Sequence, residues 1–404
     1  MKRYLFLLIA AFVFSRCGET PEPANNPNLR ALSQAETEVS SATNDLGFRL
    51  LQNLRNDEPE NIFISPLSVS IALSMLLNGA EGEVESSILT TMEIDGLTMD
   101  QVNEASKALT ALLMSMDRKI ELGIANSVWH DLDYPVHQNF ASVIRNFYNG
   151  QVSSENFRAS STTGKINDWV ESKTKGRIKN LISQIGPDEI AFLINAIYFK
   201  GEWTYQFDPA KTHIAPFHSI DGTTPEINMM VSAGAIVRHM VDNRLTLIDI
   251  PYGNEQFRFT VVMPSQPEQF MQVAAEVSAD QLNSWLNEAD SLSVRLELPR
   301  FKLEWKKDLK QTLAEMGMMM GGFPKMFQNP LDLQVSRVIH QSFLEVNEKG
   351  SEAAAATAIG IEMTSAPPQP LIVTVDKPFL FMIREKHSGV ILFMGQFTDG
   401  SVAR

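Results

Sequence analysis

The chain has 404 residues and a formal net charge of −14, from 34 Lys and Arg against 48 Asp and Glu. Hydrophobic residues make up 44% and charged residues 20%, a globular balance that excludes a disordered or collagen-like chain. The acidic balance without a long Lys/Arg run argues against nucleic-acid binding. A single cysteine excludes internal disulfides and cysteine-rich metal clusters. At about 150 residues per domain the length suggests two or three domains, although single domains of this size exist.

The N-terminus reads as an address. Lys2 and Arg3 precede an apolar run of 11 residues, Tyr4 to Phe14, which suits a signal peptide and is too short to span a bilayer. Cys17 follows within Phe-Ser-Arg-Cys-Gly, which resembles a bacterial lipoprotein signal with Arg16 where a small residue is usual. Several acyl chains on such a cysteine would anchor a soluble domain stably. The alternative is an ordinary secretory signal with a spectator cysteine; either predicts export. The Pro- and Asn-rich stretch that follows reads as a tether, giving residues 1–17 as signal, 18–33 as flexible tether and 34–404 as the folded domain.

Helical signals come first in that domain. Leu46, Leu50, Leu51 and Leu54 mark one helix face. Ser65-Pro66 offers a capping hydroxyl followed by proline at the first helical position, and the helix beyond it, Val69 to Ala80, is apolar nearly all round and so reads as buried. Ile166, Trp169 and Val170 mark another helix. Strand signals follow: Ala191 to Phe199 as a strand covered on both faces, Phe257 to Met263, and the alternating Leu292, Val294, Leu296 and Leu298. Leu371 to Val375, Phe379 to Ile383 and Val390 to Phe393 complete the series, with residues 385–389 as a hairpin turn between the last two. Helices before strands predict an α+β fold with large antiparallel or mixed sheets.

Catalytic motifs are missing. There is no Gly-x-Ser-x-Gly and no His-Glu-x-x-His. Ala159 to Lys165 imitates a phosphate loop, but Ile166 stands where Ser or Thr should hold magnesium. The histidines are scattered; His213 and His218 read as a surface pair, Asp131 and Asp133 as a solvated turn, and Met318 to Met320 as gap-filling core or loop. No metal, cofactor or enzymatic activity is expected.

Residues 348–370 do not fit an ordinary fold. They join two strand-like runs, Val338 to Val346 and Leu371 to Val375, through more than twenty residues, and a loop of that length inside a compact domain is commonly functional. Four successive alanines favour helix, but small side chains also suit a strand that slips between two others. Pro367, Pro368 and Pro370 oppose sheet formation at the far end.

Four separated motifs, in this order, resemble the serpin family: Asn61-Ile-Phe-Ile-Ser-Pro-Leu-Ser-Val-Ser70, Leu193-Ile-Asn-Ala-Ile-Tyr-Phe-Lys-Gly-Glu-Trp203, Phe343 to Ala358, and Asp376 to Arg384 with Ile391 to Gly395. The resemblance runs from about Ala35 to Asp399. It implies one unit of three β-sheets and eight or nine helices, with an exposed reactive-centre loop at residues 350–370. It also implies suicide inhibition: a protease cleaves the loop, becomes acylated, and is dragged and distorted as the loop inserts into the largest sheet.

Residue by residue, the resemblance makes Gly350 the hinge glycine and Ser351 the start of insertion. The hinge then comprises Glu348, Gly350, Ser351, Glu352, Ala353, Ala354, Ala355, Ala356 and Thr357, without proline or charge on the face carrying Ser351, Ala353, Ala355 and Thr357. It places the scissile bond at Thr364–Ser365, with Met363–Thr364 as the alternative. No Lys or Arg lies between Gly350 and Asp376, so a trypsin-like target is not expected; elastase-like, subtilisin-like or papain-like cysteine endopeptidases fit better. Ser65, Ser68, Asn195 and His340 match the shutter beneath the parting strands, and Trp203 the breach where insertion begins. The implied partner is a target endopeptidase in a covalent complex with a monomer, with no nucleic acid and no membrane contact beyond a lipid at Cys17. The alternative is a non-inhibitory serpin serving as a binding or scaffold protein.

Overall fold

Ser65 shows how local chemistry starts the fold. Its backbone is extended (φ −114°, ψ 102°), its hydroxyl accepts from Ser68 N–H at 3.1 Å, and Pro66 opens the helix that follows. Such a cap contributes about 1 kcal/mol. The computed structural model describes residues 29–57, 60–328, 335–351 and 370–403. Cys17, the tether up to Asn28, Glu352 to Thr357 of the hinge, and both proposed scissile bonds lie outside the described residues.

In chain order the elements are α1 (Gln34–Asp57), β1 (Ile62–Ile64), α2 (Pro66–Leu77), α3 (Glu83–Met92), α4 (Met99–Ser115), β2 (Ile120–Asp131), α5 (Gln138–Tyr148), β3 (Gln151–Glu155) and α6 (Ser160–Lys173). Then come β4 (Ala191–Glu202), β5 (His213–Pro216), β6 (Glu226–Val241), β7 (Leu245–Pro251), β8 (Phe257–Pro264), α7 (Phe270–Glu276), α8 (Ala279–Glu288), β9 (Asp290–Pro299), β10 (Phe301–Asp308) and α9 (Lys310–Glu315). The chain closes with β11 (Ile339–Asn347), β12 (Gly350–Ser351), β13 (Leu371–Thr374), β14 (Phe379–Glu385) and β15 (Ile391–Phe397).

The fold is α+β. One sheet runs β10-β11-β12-β4-β2-β3; the other runs β1-β15-β14-β8-β7-β6-β9-β13, with β5 on β6. The expected second and third sheets are continuous because β6 is long: it pairs β5 at Glu226–Met229, β7 at Arg238–Val241 and β9 between, bending at a bulge around Gly234 (φ 80°). The last two strands pair as a hairpin, as their spacing predicts.

Nearly every residue of α2 is buried, which its all-round apolar pattern predicts. Phe63 stacks on Phe381 and Phe393, with centroids 5.7 and 5.3 Å apart, and ties β1 to β14 and β15. A second apolar cluster, including Trp129, Ile166, Val170, Phe192 and Ile194, packs α6 over the opposite face of the six-stranded sheet. β4 therefore has a core on each side, the physical reason for its unbroken apolar run.

Two readings change. Asp131 does not sit in a solvated turn: it is buried, and its carboxylate accepts from Asp133 N–H at 2.9 Å and Phe157 N–H at 2.8 Å. The end of the tether is tied to the domain: Arg30 donates to buried Glu36, and the Arg30 carbonyl lies 2.6 Å from His387 Nε2.

Candidate functional site

The site lies where β12 enters the six-stranded sheet. Gly350 and Ser351 pair antiparallel with Glu202 and Gly201 of β4 on one side and with Asn347 and Val346 of β11 on the other. Among the described residues β4 and β11 do not pair with each other; the sheet's path between them passes through β12. Backbone approach here is close. A Cβ on Gly350 would lie 1.9 Å from the Gly201 carbonyl oxygen, so only glycine fits.

The turn before β12 is pinned by the chain after β4. Trp203 N–H donates to Lys349 O and Phe207 N–H to Glu348 O, both at 2.8 Å. The Trp203 indole donates to Asn347 O at 2.9 Å. Glu348 is held at its carboxylate by the Thr212 hydroxyl at 2.8 Å and faces Arg300 at 3.9 Å. Trp203 stacks on Tyr252 with ring centroids 4.2 Å apart and planes within 9°. The Tyr252 and Ser351 hydroxyls are 2.8 Å apart, and both residues are fully buried. Burial pushes the Tyr252 phenol well above its ordinary pKa, so it is a neutral hydrogen-bonding group.

The sequence flagged Trp203, Glu348, Gly350 and Ser351, and the structure brings these four together. It did not flag Tyr252, Thr212 or Arg300. Tyr252 sits in Pro251-Tyr252-Gly253, which reads only as a turn, and nothing local announces the stack.

Beneath the sheet, Ser65 N–H donates to His340 Nε2 at 3.1 Å, and the Ser65 hydroxyl donates to Leu392 O at 2.6 Å while accepting from Ser68. The buried Ser342 hydroxyl donates to Phe63 O. Because Nε2 accepts, the His340 ring is the neutral tautomer protonated at Nδ1. Burial reinforces this, lowering the His340 pKa to about 4. Ser65, Ser68 and His340 thus form one cluster linking α2, β11 and β15.

Asn195 stands apart from them. Its amide donates to Asn126 Oδ1 at 2.6 Å, and Asn126 donates in turn to Tyr148 O. The Asn195 side-chain oxygen is buried without a hydrogen-bond partner, as is that of Gln341 on β11. Continued residue by residue, the register of β12 sets Asn195 of β4 and His340 of β11 at the same level on opposite sides. Farther along lies an apolar cleft lined by Leu73 and Leu76 of α2, Ala191 and Leu193 of β4, Met326, and Val338 ahead of β11.

The remaining candidates separate from this site. Residues 160–165 of the phosphate-loop mimic are the first turns of α6, and Lys165 pairs with Glu155 at 2.6 Å. His213 is exposed at the start of β5 and lies 3.2 Å from Lys211 O. Among the described residues no group of three or more His, Cys, Asp or Glu is placed to hold a metal ion, and no helix is long and apolar enough to cross a membrane.

The sequence matches the family model described as "Serpin (serine protease inhibitor)" over residues 41–400. Serpin B4 of Homo sapiens is 32% identical over 392 residues, which cover 89% of this chain and 99% of that protein. Among solved structures, human thyroxine-binding globulin complexed with thyroxine superposes with a TM-score of 0.82 at 29% identity, over 90% of this chain and 99% of its own. The thermophilic serpin tengpin in its native state superposes with a TM-score of 0.82 at 26% identity, over 93% and 97%.

Proposed function

The chain belongs to the serpin family, and from that premise we propose that it is an irreversible suicide inhibitor of serine endopeptidases. The observation that carries the reading is β12: the first residues of the loop already stand as a strand between β4 and β11, which do not pair with each other among the described residues. Addition of an extended segment as a new strand is a recognised binding mode, and loop insertion in this family is one of its known instances.

In this reading a protease attacks the Thr364–Ser365 bond, or Met363–Thr364, and its catalytic residue is acylated by the loop. The freed segment continues β12 in the same register. Ser351 is fully buried, so Ala353, Ala355 and Thr357 follow it to the core side, all small. Thr357 comes opposite Asn195 and His340, where the Asn195 oxygen waits without a donor. Ile359 and Ile361 come opposite Leu193 and Ala191 at the apolar cleft. Ser351 to Thr364 spans 14 residues, about 48 Å at ~3.4 Å each, a long displacement for a tethered protease. About ten new backbone hydrogen bonds at ~0.5–1.5 kcal/mol each release on the order of 5–15 kcal/mol.

The absence of Lys and Arg from the loop points the inhibitor toward elastase-like or subtilisin-like serine endopeptidases, with papain-like cysteine enzymes as a further class. The N-terminal pattern supports export, with the chain anchored by lipid at Cys17 or secreted, and the proposed inhibitor acts as a monomer. Incubation with pancreatic elastase, subtilisin, trypsin and papain tests the reading. The expected result is a covalent complex that survives boiling, together with a released peptide beginning at Ser365. Loop cleavage that leaves every protease active would overturn it and favour a binding protein, the role that thyroxine-binding globulin carries in its name.

A further inference from the structure

The connection from α6 to β4, residues 174–190, takes an indirect course. In the six-stranded sheet β10 and β11 stand on one side of β12, and β4 stands on the other. The connection leads into β4, yet it is bonded to the strands across β12. The Arg177 guanidinium lies over the ring of Phe343 on β11, 5.3 Å from its centroid, and Lys302 of β10 approaches the same ring at 5.1 Å. Lys306 of β10 donates to Asn180 O at 3.0 Å. Arg337, two residues ahead of β11, donates to Gln184 O at 3.0 Å. Ile178, Leu181 and Ile182 are buried in the cluster that holds Phe192 and Ile194 of β4. The segment is therefore a strap across the line between β4 and β11, along which the loop would insert.

One ion pair closes the strap. Arg337 Nε and Nη2 donate to the two oxygens of Glu189, the second at 2.6 Å, and the Ser336 hydroxyl donates to the first oxygen at 3.3 Å. Glu189 Oε2 also accepts from Gly186 N–H at 2.6 Å, so the carboxylate is oriented from within the strap. The Glu189 side chain is 9% exposed and that of Arg337 26%. Paired forks of this kind are among the stronger hydrogen-bonded ion pairs. Continued residue by residue, the register of β12 brings loop position 360 opposite Arg337 and position 363 opposite Glu189. With a strand between them, the two backbones stand two strand spacings apart sideways and three residues apart lengthwise, about 14 Å. A bidentate Arg–Glu pair spans that distance only with both side chains fully extended in one line. Insertion as far as residue 359 stops short of the pair; insertion of residues 360–363 has to displace it.

We propose that the Arg337–Glu189 pair is a latch on the last stage of loop insertion. This rests on the inhibitory reading above. Trapping is a race between insertion and hydrolysis of the acyl bond. A latch at the end of the path therefore sets how much protease is carried to the far end of the sheet and how much is released, without altering which bond is attacked.

The test uses the full chain with Cys17→Ser, so that introduced thiols are the only ones. Glu189→Cys with Arg337→Cys is joined by a short reducible bis-methanethiosulfonate linker. Glu171→Cys with Lys179→Cys, replacing an ion pair of 2.9 Å that ties the strap to its own helix, is the control linkage. With pancreatic elastase or subtilisin, the 189–337 linkage should cut the yield of covalent complex at least tenfold and leave cleaved chain with active protease. Reduction should restore trapping, and the control linkage should trap throughout. A second readout needs no complex: loop cleavage should raise the unfolding midpoint by insertion, and in the 189–337 linked chain only after reduction. Glu189→Gln keeps the side-chain shape and removes one charged partner, so it should take up a synthetic peptide of residues 351–364 about tenfold faster on native gels. A Cys17→Ser parent chain that gains the midpoint rise but no complex would sink the inhibitory reading, and the midpoints would then decide the latch. Equal trapping and equal midpoint rise in linked and reduced chains, no rise in the parent chain, or unchanged peptide uptake by Glu189→Gln would overturn the latch.

Discussion

Replacing Ser351 with arginine tests the inhibitory reading at its first step. Ser351 is fully buried, its hydroxyl 2.8 Å from that of Tyr252, under a Trp203–Tyr252 stack with centroids 4.2 Å apart. Among the described residues the side-chain partner of Ser351 is the Tyr252 hydroxyl and not a carboxylate, and burying an unpaired charge costs several kcal/mol. Ser351→Arg should push the start of the loop out of the sheet while leaving β4, β11 and the cores intact. Insertion must then pass through burial of the guanidinium. A cost of ~3 kcal/mol in that step slows it about 150-fold, while deacylation of the trapped protease is untouched. Partition between trapping and release therefore shifts roughly 100-fold toward release, and the variant becomes a substrate. Denaturing gels read this as cleaved chain replacing covalent complex, and residual protease activity gives the stoichiometry of inhibition. Ser351→Thr, which keeps the hydroxyl, should retain trapping. A folded Ser351→Arg variant with unchanged stoichiometry would refute the placement of Ser351 in the insertion path.

His340 gives a pH dependence. Its folded pKa is lowered to about 4 from the ordinary 6.5, so below that ordinary value the unfolded chain binds a proton that the folded chain refuses. The group costs nothing above pH ~6.5, and its penalty grows to about 3 kcal/mol as pH falls toward 4; denaturant unfolding at pH 7 and 4.5 should show this loss, diminished in His340→Gln. Tyr252→Phe removes one buried hydroxyl partner and should cost about 1 kcal/mol of thermal stability, more if Ser351 finds no replacement. Trp203→Ala loses the stack and the bond to Asn347 O and should cost about 3–5 kcal/mol, read as a lowered unfolding midpoint.

Much of the fold is local and so was legible in the chain. The Ser65-Pro66 cap, the all-round apolar α2, the doubly covered β4 and the final hairpin follow from capping chemistry and from periods of 3.6 and 2, which a sequence carries directly. The hinge reading likewise comes from one continuous segment, Gly350 with the run of small residues after it and no proline, of which the structure describes Gly350 and Ser351. Tertiary structure decided what requires distant residues to meet. Tyr252 becomes part of the entry point only because β7 delivers it beneath Trp203 and beside Ser351. Asp131 becomes a buried turn acceptor only because Phe157 N–H arrives from across the chain. The four matched shutter residues divide, with Ser65, Ser68 and His340 bonded in one cluster and Asn195 tied to Asn126. Sequence order could not reveal that division, because it depends on β12 standing between β4 and β11, and strand neighbours are set by packing of the whole sheet.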